Sequence, residues 1–567
     1  MNHPNPAIVS KAAARRLPRL ALILLCVAYV IPGFIGRDSW KSEDMAALGF
    51  AWELLQDNAN WWAPSLMGLP PDNPALLPYW LGAWSIKLTQ PWVHTEFAVR
   101  IPFGLLLSLT LVSTWYAVYY LGRSPKAQPV AFAFGGEALP TDYARAMADG
   151  GLLAVIACMG LAQLSHEATP ALAQLGFSAL FFFGASALPY SRILPLLAIG
   201  LGLLGMTLSG APAIAGLWAI GAALIHVLDR FEIREDETRL GTKTLESGLV
   251  VLIALVCALV AQQLDLWNWK LQLPKANWVE WSGFGQLLIW FTWPTWPLAL
   301  WTLWRWRHQL FSRHISRHLT LPLWLCLVAV AATLLTGSSD RTLLLALPAM
   351  SALAAFALPT LKRQVAALID WFTLLFFTGC AVIIWVIWIA MQTGIPSQPA
   401  ANVARLAPGF ETSFSVLALA IALCATTVWG WLVHWRVGRH RAAIWKSLVL
   451  PAGGAALCWL LLMTLWMPLL NYAQGYKLLV NRALAQLTPV GCVEVVGLGQ
   501  GQIAALKFYA DLQMQPMQNE PTCPWLIAEL GPDGNAPSTF SVNDWNLVSP
   551  IHHPTDRNQS LLLFKQK

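Results

Sequence analysis

Acidic side chains cluster just after the first strongly apolar run of the chain, in the stretch GRDSWKSED, which contains Asp38, Glu43 and Asp44. A carboxylate at a membrane surface can accept a proton from a hydroxyl group or help to hold a metal ion. Because Glu43 and Asp44 are adjacent, a helix would point them about 100° apart, so only one of them would face a given cleft. A solvated acidic surface is the alternative, and composition gives the two interpretations equal weight.

Other side chains that could do chemistry lie at the ends of later apolar runs. His166 and Glu167, in SHEATP, either take part in a site or cap the helix that follows them. Three cations, Lys87, Arg100 and Arg341, lie near the ends of apolar runs and could bind an anionic group, which Arg binds bidentately. Anchoring at the membrane interface is the alternative for each of these cations.

The composition is that of a membrane protein with many spans. Of the 567 residues, 57% are hydrophobic and 11% are charged, and the mean hydropathy is +0.54. Apolar runs that can cross a bilayer, which takes roughly 20 residues, recur along the chain. They predict an all-α polytopic fold and exclude a β-barrel, whose strands alternate. The net charge of +7 is explained by basic loops on one side of the membrane and does not indicate nucleic acid.

Hydropathy predicts about 13 transmembrane helices. Lys11, Arg15, Arg16 and Arg19 precede the first of them, which we interpret as a retained span with the N-terminus in the cytoplasm. Basic loops then alternate with acidic loops along the chain. We therefore expect a transmembrane domain over residues 1–470, with its first outer loop at 36–96, and a periplasmic domain over residues 471–567.

The tail from residue 471 to residue 567 is predicted to be a small α/β domain. CVEVVGL, CPWLIAEL and SLLLFKQK are typical of strands, and KLLVNRALAQL and GQIAALKFYADL are typical of helices. Cys492 and Cys523 lie in this part and can pair if it is outside the cytoplasm. The glycines of GLGQG, from Gly497, have the wrong spacing for a dinucleotide site, so we interpret them as a strand–turn–helix junction.

The first loop resembles that of a known family. Trp61, Pro64, Leu66 and Gly68 form a W-x-x-P-x-L-x-G element, and Asp44 lies 17 residues before Trp61. This pattern is similar to that of the C-type glycosyltransferases that use lipid-linked sugars, among them the lipid A aminoarabinose transferases and the protein O-mannosyltransferases. EFAVRIP, SHEATP and DRTLLLALPA resemble later elements of the same family, so the resemblance covers most of the chain.

The resemblance implies roles for the acidic candidates. Asp44 would be the base that activates the acceptor hydroxyl, with Glu43 as the second choice. Glu167, together with His166, would help to orient the acceptor or shape its loop. Asp44 and Glu167 would hold a divalent metal ion if the reaction uses one, and the resemblance implies no other cofactor.

The resemblance also implies a site for the donor phosphate, formed by Arg100 and Arg341 with Lys87 as a further candidate. The aminoarabinose transferases place an acid and a Lys before a Pro in the first loop, whereas this chain has Asp72 and Asn73. A second expected Lys-Gly element, between the fifth and sixth spans, reads Ser-Gly. These departures weaken the match to an aminoarabinose donor, and Asp72 and Asn73 are assigned to the acceptor or to the shape of the loop.

Together these expectations describe a transferase of the bacterial inner membrane. It would move a sugar from a polyprenyl (undecaprenyl) phosphate donor to a lipid A, glycan or protein acceptor on the periplasmic face, with inversion at the anomeric carbon. A multi-span transporter or flippase of a lipid or solute is the alternative. Against it, the sequence shows no repeated halves and few ionisable residues in mid-span.

Overall fold

The structure is a computed structural model that describes residues 5–40, 42–229, 238–267, 272–275, 277–337, 339–437, 443–487, 491–517, 521–529, 545–556 and 560–567. Most of these residues are helical. The α-helices are α1 (Arg19–Val30), α2 (Glu43–Glu53), α3 (Leu77–Thr89), α4 (Thr95–Ala98), α5 (Ile101–Gly122), α6 (Pro140–Ala157), α7 (Leu161–Leu164), α8 (Pro170–Ala187), α9 (Ile193–Leu208), α10 (Pro212–Leu228), α11 (Thr238–Gln263), α12 (Trp278–Phe291), α13 (Thr295–Arg305), α14 (Arg307–Leu310), α15 (Arg317–Leu335), α16 (Asp340–Leu343), α17 (Leu347–Ala357), α18 (Arg363–Thr393), α19 (Ser397–Leu406), α20 (Val416–Val437), α21 (Lys446–Leu465), α22 (Met467–Gln474), α23 (Lys477–Leu484) and α24 (Gln500–Ala510). Short 3-10 helices cover Pro125–Ala127, Leu344–Ala346 and Leu358–Thr360.

The apolar helices confirm a polytopic membrane fold. Within the described residues, eight helical segments are long and apolar enough to cross a bilayer, namely Thr95–Gly122, Pro170–Ala187, Gly241–Gln263, Arg317–Leu335, Asp340–Thr360, Arg363–Thr393, Val416–Arg436 and Lys446–Leu465. Three shorter apolar helices are Arg19–Val30, Ile193–Leu208 and Pro212–Leu228. The figure of about 13 spans stays a prediction, because several helices are shorter than the roughly 20 residues that a straight crossing requires.

The eighth predicted span, from about Gly285, is divided between two helices. α12 ends at Phe291 and α13 begins at Thr295, with Pro294 between them. Pro has no N–H to donate, and it disfavours helical dihedral angles in the residue before it, so the helix breaks there. Hydropathy averages over such a break and does not detect it.

Contacts divide the chain into two compact units, each assembled from separate segments. The first unit comprises Met1–Gly33, Phe103–Ala381 and Ile421–Leu461, and the second comprises Phe34–Pro102, Val382–Ala420 and Leu462–Lys567. The first unit contains most of the apolar helices, and the second contains the first loop and the tail. The division at residue 470 that hydropathy suggests stays a prediction.

In the first unit, α8 and α9 approach closely because small residues lie between them. A Cβ atom at Gly202 would come within 2.8 Å of the Phe181 backbone nitrogen, and one at Gly184 within 2.7 Å of the Pro195 carbonyl oxygen. Small residues at such contacts are typical of helix pairs in membranes. α17 also lies in the interior of this unit, since all its side chains are buried.

In the second unit, α2 packs against α3 and against α24 of the tail. A Cβ atom at Gly49 would fall 2.4 Å from the Cβ of Ala504, so a larger residue at position 49 would force α2 and α24 apart. Lys507 of α24 also pairs with Glu53 of α2, with 2.5 Å between Nζ and Oε2. The tail therefore fixes the helix whose first turn carries Asp44.

A five-stranded mixed sheet completes the tail. Its strands are β1 (Val493–Val496), β2 (Met514–Pro516), β3 (Trp525–Glu529), β4 (Trp545–His552) and β5 (Ser560–Gln566), in the order β2-β1-β3-β5-β4. β1 is parallel to β2 and β3, and β5 is antiparallel to β3 and β4. The three predicted strands and two predicted helices are present, and β2 and β4 are additional. Cys492 and Cys523 form a disulfide bond beside β1 and β3.

Candidate functional site

The first turn of α2 places Asp44 in the interior of the second unit. The side chain of Asp44 is 2% exposed, whereas the adjacent Glu43 is half-buried. The difference follows from the rotation of about 100° per residue along a helix. Acidic residues are favoured in a first turn because the positive end of the helix dipole lies there. Of the two acids predicted as a base, Asp44 is therefore the buried one.

Two arginines face Asp44. Its Oδ2 atom lies 3.1 Å from Nη2 of Arg37 and 3.7 Å from Nη2 of Arg100, whose side chains are 0% and 1% exposed. The backbone N–H of Trp40 donates to the same oxygen at 3.2 Å. Removing one partner from a buried ionic group is strongly destabilising, because the remaining charge loses its compensation. We call Arg37, Asp44 and Arg100 the arginine cluster and expect them to act as a unit.

Arg100 also fixes the segment that precedes α2. Its guanidinium donates to the carbonyl oxygen of Arg37 and to Oγ of Ser39, the latter at 3.1 Å. The guanidinium of Arg37 lies over the Trp40 ring, 3.9 Å from the ring centroid. The arginine cluster thus combines two rigidly held cations with one carboxylate, a set that suits an anionic group such as a phosphate.

A second pair of carboxylates, Asp38 and Glu96, belongs to the same part of the unit. Oε1 of Glu96 accepts a hydrogen bond from the hydroxyl of Tyr509 at 2.5 Å. Burial raises the pKa of Asp38 and the charge of Glu96 raises it further, whereas Lys477 and Arg100 oppose the shift. A half-buried carboxyl group with a raised pKa is a better proton acceptor than an ordinary aspartate once it is deprotonated.

Asn471, in α22, holds residues 36–40 from the side of the tail. Its Oδ1 accepts hydrogen bonds from the backbone N–H of Asp38 at 3.1 Å and from the indole N–H of Trp40 at 3.0 Å. Its Nδ2 donates to the carbonyl oxygen of Gly36 at 3.0 Å. Each such bond contributes about 1 kcal/mol net. A residue far away in the sequence therefore sets the path of the segment that carries Asp38.

Replacing Asn471 by Leu should loosen this segment and leave the helices in place. The variant loses three hydrogen bonds, so we expect faster amide exchange at residues 36–40, by roughly 10-fold or more. Hydrogen–deuterium exchange with mass spectrometry of the purified protein measures the change. Asn402→Leu, at an exposed position of α19, is the matched control. Equal exchange in the two variants would show that Asn471 does not hold the segment.

The remaining first-loop candidates lie nearer the surface. Asp72 and Asn73 are exposed, and the backbone N–H of Asp72 donates to Oε1 of Gln500 in α24 at 3.3 Å. This contact uses the Asp72 backbone, so a role for the Asp72 and Asn73 side chains in shaping the loop stays a prediction. Lys87 is exposed in the last turn of α3.

In the first unit, Glu167 pairs with Arg341. The distance from Oε2 of Glu167 to Nη1 of Arg341 is 2.9 Å, and Nε2 of Gln163 donates to the other carboxylate oxygen at 3.3 Å. His166 is buried between the rings of Tyr29 and Trp459, at centroid distances of 5.5 Å and 4.6 Å. α8 begins without a side-chain cap. The structure therefore brings two predicted site residues together as an ion pair and packs His166 in the core.

Four residues of the second unit were not among the predicted site residues: Arg37, Glu96, Asn471 and Tyr509. Arg37 lies in the same short stretch as Asp44, and Glu96 opens the EFAVRIP element. Both could have been selected as charged residues flanking a recognised motif. Asn471 and Tyr509 lie in the tail, and nothing local in the sequence marks them.

Within the part of the chain that the structure describes, no group of three His, Cys, Asp or Glu side chains could hold a metal ion. Arg37 and Arg100 occupy the surroundings of Asp44, and Arg341 those of Glu167. A metal ion bound to either carboxylate would have to displace an arginine. The geometry therefore does not place a metal ion at Asp44 or at Glu167.

The fold matches solved structures at low sequence identity. No known family profile matches the sequence, and no curated protein matches it significantly. The crystal structure of ArnT from Cupriavidus metallidurans bound to undecaprenyl phosphate has a TM-score of 0.59 at 12% identity, over 97% of this chain and 98% of that chain. The apo structure gives a TM-score of 0.57 at 13% identity, over 96% of each chain. The predicted resemblance to C-type glycosyltransferases is confirmed at the level of the fold.

Proposed function

We propose that this chain is a membrane glycosyltransferase that takes its sugar from a polyprenyl-phosphate carrier. The arginine cluster carries the proposal, since it places a buried carboxylate and two guanidinium groups in and directly after the first loop of a chain with the ArnT fold. Transfer from such a donor needs cations for the leaving phosphate and a base for the acceptor. The ArnT structure contains undecaprenyl phosphate, which supports a carrier of that kind here.

In the proposed reaction, a hydroxyl oxygen of the acceptor attacks the anomeric carbon of the donor sugar on the face opposite the phosphate. The bond from that carbon to the phosphate oxygen breaks, and its electron pair leaves with the phosphate. The configuration at the anomeric carbon is inverted, and the acceptor proton passes to a carboxylate. Arg37 and Arg100 stabilise the negative charge that develops on the leaving phosphate.

Asp44 and Asp38 are the two candidates for the carboxylate that takes the proton. The family resemblance favours Asp44, but three donors already approach its Oδ2 atom. Asp38 is half-buried and its pKa is raised, chiefly by burial. A general base contributes about 10²–10⁴-fold to the rate, so the loss of the true base is measurable. Glu43, half-buried beside Asp44, ranks after these two.

The pH dependence of Asp38→Asn separates the candidates. If Asp38 takes the proton, the wild-type rate rises with pH through the raised pKa of its carboxyl group, because only the deprotonated form is a base. Asp38→Asn should then lower kcat/KM by about 100-fold and remove this acid limb of the pH profile. If the acid limb of the pH profile persists in Asp38→Asn, it belongs to another group. Asp44 would then be the proposed general base.

For the first unit, the family resemblance alone proposes a phosphate ligand, Arg341, whose ion pair with Glu167 fixes the orientation of the guanidinium. Glu167 would in turn orient the acceptor. Lys87 is the weakest phosphate candidate because it is exposed. Asn73 offers hydrogen bonds without charge, so we propose a donor sugar other than aminoarabinose.

We place the reaction on the periplasmic face of the bacterial inner membrane, with the N-terminus in the cytoplasm, about 13 spans, and the domain at residues 471–567 outside. The acceptor would be lipid A, another glycan or a protein.

Mass spectrometry of envelope glycolipids and glycoproteins, from cells with and without this chain, tests the proposal. We expect a product heavier by one sugar residue that disappears without the chain. Identical profiles, or loss of a transported lipid without loss of any glycosylated product, would overturn it.

A further inference from the structure

A cavity of about 490 Å³ lies in the first unit, among residues that the proposed transfer does not use. It lies between the start of α18, the end of α20, the start of α21 and the N-terminal segment. Small-molecule sites in proteins typically measure about 300–1,000 Å³. Its lining combines apolar residues such as Val9, Leu358 and Leu450 with four charged residues, Arg363, Asp370, Arg436 and Lys446.

Positive charge exceeds negative charge among the described residues that line this cavity. Asp370 is paired with Arg436, whose Nε lies 3.2 Å from Oδ1 and whose Nη2 contacts Oδ2. The described lining thus has one carboxylate, Asp370, and three cations, Arg363, Arg436 and Lys446. Arg363 is the first residue of α18 and Lys446 the first residue of α21, where the helix dipole adds positive potential. The cavity is therefore complementary to an anion.

An apolar stripe continues from the cavity along α18. Leu368, Trp371, Phe372 and Leu375 follow one another at helical spacing, and all of them are exposed. Trp371 also lines the cavity, and Trp is typical of the headgroup level of a bilayer. A lipid whose headgroup occupies the cavity could lay its acyl chains along this stripe. A soluble anion has no acyl chains and would not use the stripe.

The sequence places the basic ends of these helices on the cytoplasmic side, because Lys and Arg accumulate there. Basic pockets between transmembrane helices on that side bind the headgroups of anionic lipids. A zwitterionic lipid carries an ammonium group that would meet Arg363 and Lys446 with like charge. The charge balance thus selects lipids with a net negative headgroup.

We propose that this cavity binds the headgroup of an anionic glycerophospholipid from the cytoplasmic leaflet. The lipid phosphate lies between Arg363 and Lys446, and the acyl chains lie along the α18 stripe. The ion pair of Asp370 with Arg436 ties α18 to α20 and forms one wall of the site. This site is independent of the arginine cluster and of sugar transfer.

The test titrates the purified full chain in detergent with dioleoyl phosphatidylglycerol and, separately, with dioleoyl phosphatidylcholine. Native mass spectrometry counts the bound lipid, and thermal melts report stabilisation. The wild type should prefer phosphatidylglycerol, and Arg363→Gln/Lys446→Gln should bind it about 10- to 30-fold more weakly. Lys362→Gln and Arg307→Gln are matched controls, because both cations are exposed and neither lines the cavity.

A second variant guards against a purely structural effect of the charge changes. Ala367→Phe fills the cavity from an exposed position and keeps every charge, so it should also lose the preference for phosphatidylglycerol. An unchanged preference in both variants would overturn the proposal. Equal stabilisation by inorganic phosphate or by glycerol 3-phosphate would reveal a site for soluble anions and overturn the assignment to a lipid.

Discussion

Replacing Asp44 with Asn is expected to lower sugar transfer by at least about 100-fold at every pH. Asn keeps the size of the side chain and removes its charge. Arg37 and Arg100 would then face an amide in a place where they are 0% and 1% exposed. The site loses the carboxylate that contacts both of the cations proposed to bind the phosphate, and with it one of the two candidates for the base. Loss at every pH distinguishes this variant from Asp38→Asn, whose effect should depend on pH.

The measurement compares product formation in isolated membranes with the amount of protein present. Asp57→Asn is the matched control, because Asp57 is an exposed acid in the same loop, beyond the end of α2. Thermal melts of the purified variants show whether each one folds. A folded Asp44→Asn variant that transfers at close to the wild-type rate would remove Asp44 from the mechanism.

The elements best predicted from the sequence are those set by continuous apolar runs. β1, β3 and β5 bury most of their side chains and therefore appear as such runs. β4 is mostly exposed and contains Pro550, and β2 has only three residues, so neither gives a clear hydrophobic pattern. These strands form because β5 and β1 offer edges for pairing, which is a tertiary effect.

The candidate site shows a sharper limit. The spacing from Asp44 to Trp61 locates the central acid, and family resemblance supplies Arg100. The contacts of residues 36–40 and of Glu96, in contrast, depend on how the tail meets the first loop. Asn471 lies 433 residues from Asp38, and Tyr509 lies 413 residues from Glu96. A single sequence carries no information on such pairs, because each side chain is locally an ordinary polar residue.

Arg100 is the second residue whose loss should be severe, because it contacts both Asp44 and the segment before α2. Arg100→Met removes a proposed phosphate ligand and the donors to the Arg37 carbonyl and Ser39 Oγ. We expect transfer to fall by about 10²–10³-fold and the melting temperature to drop, because Asp44 loses one of its two buried cations. Arg100→Lys should recover only part of the rate, since Lys keeps the charge and lacks the forked donors. Arg405→Met, at an exposed position of α19, is the control.

Combining Arg100→Met with Asp44→Asn tests whether the arginine cluster acts as a unit. Contacting residues that share one function lose it together, so the double variant should transfer no more slowly than the worse of the two single variants. Losses that multiply would show instead that the two residues contribute separately. Arg100 would then act on the phosphate and Asp44 on the proton. The distances of 3.1 Å and 3.7 Å from Oδ2 of Asp44 to Arg37 and Arg100 would not reflect mutual positioning.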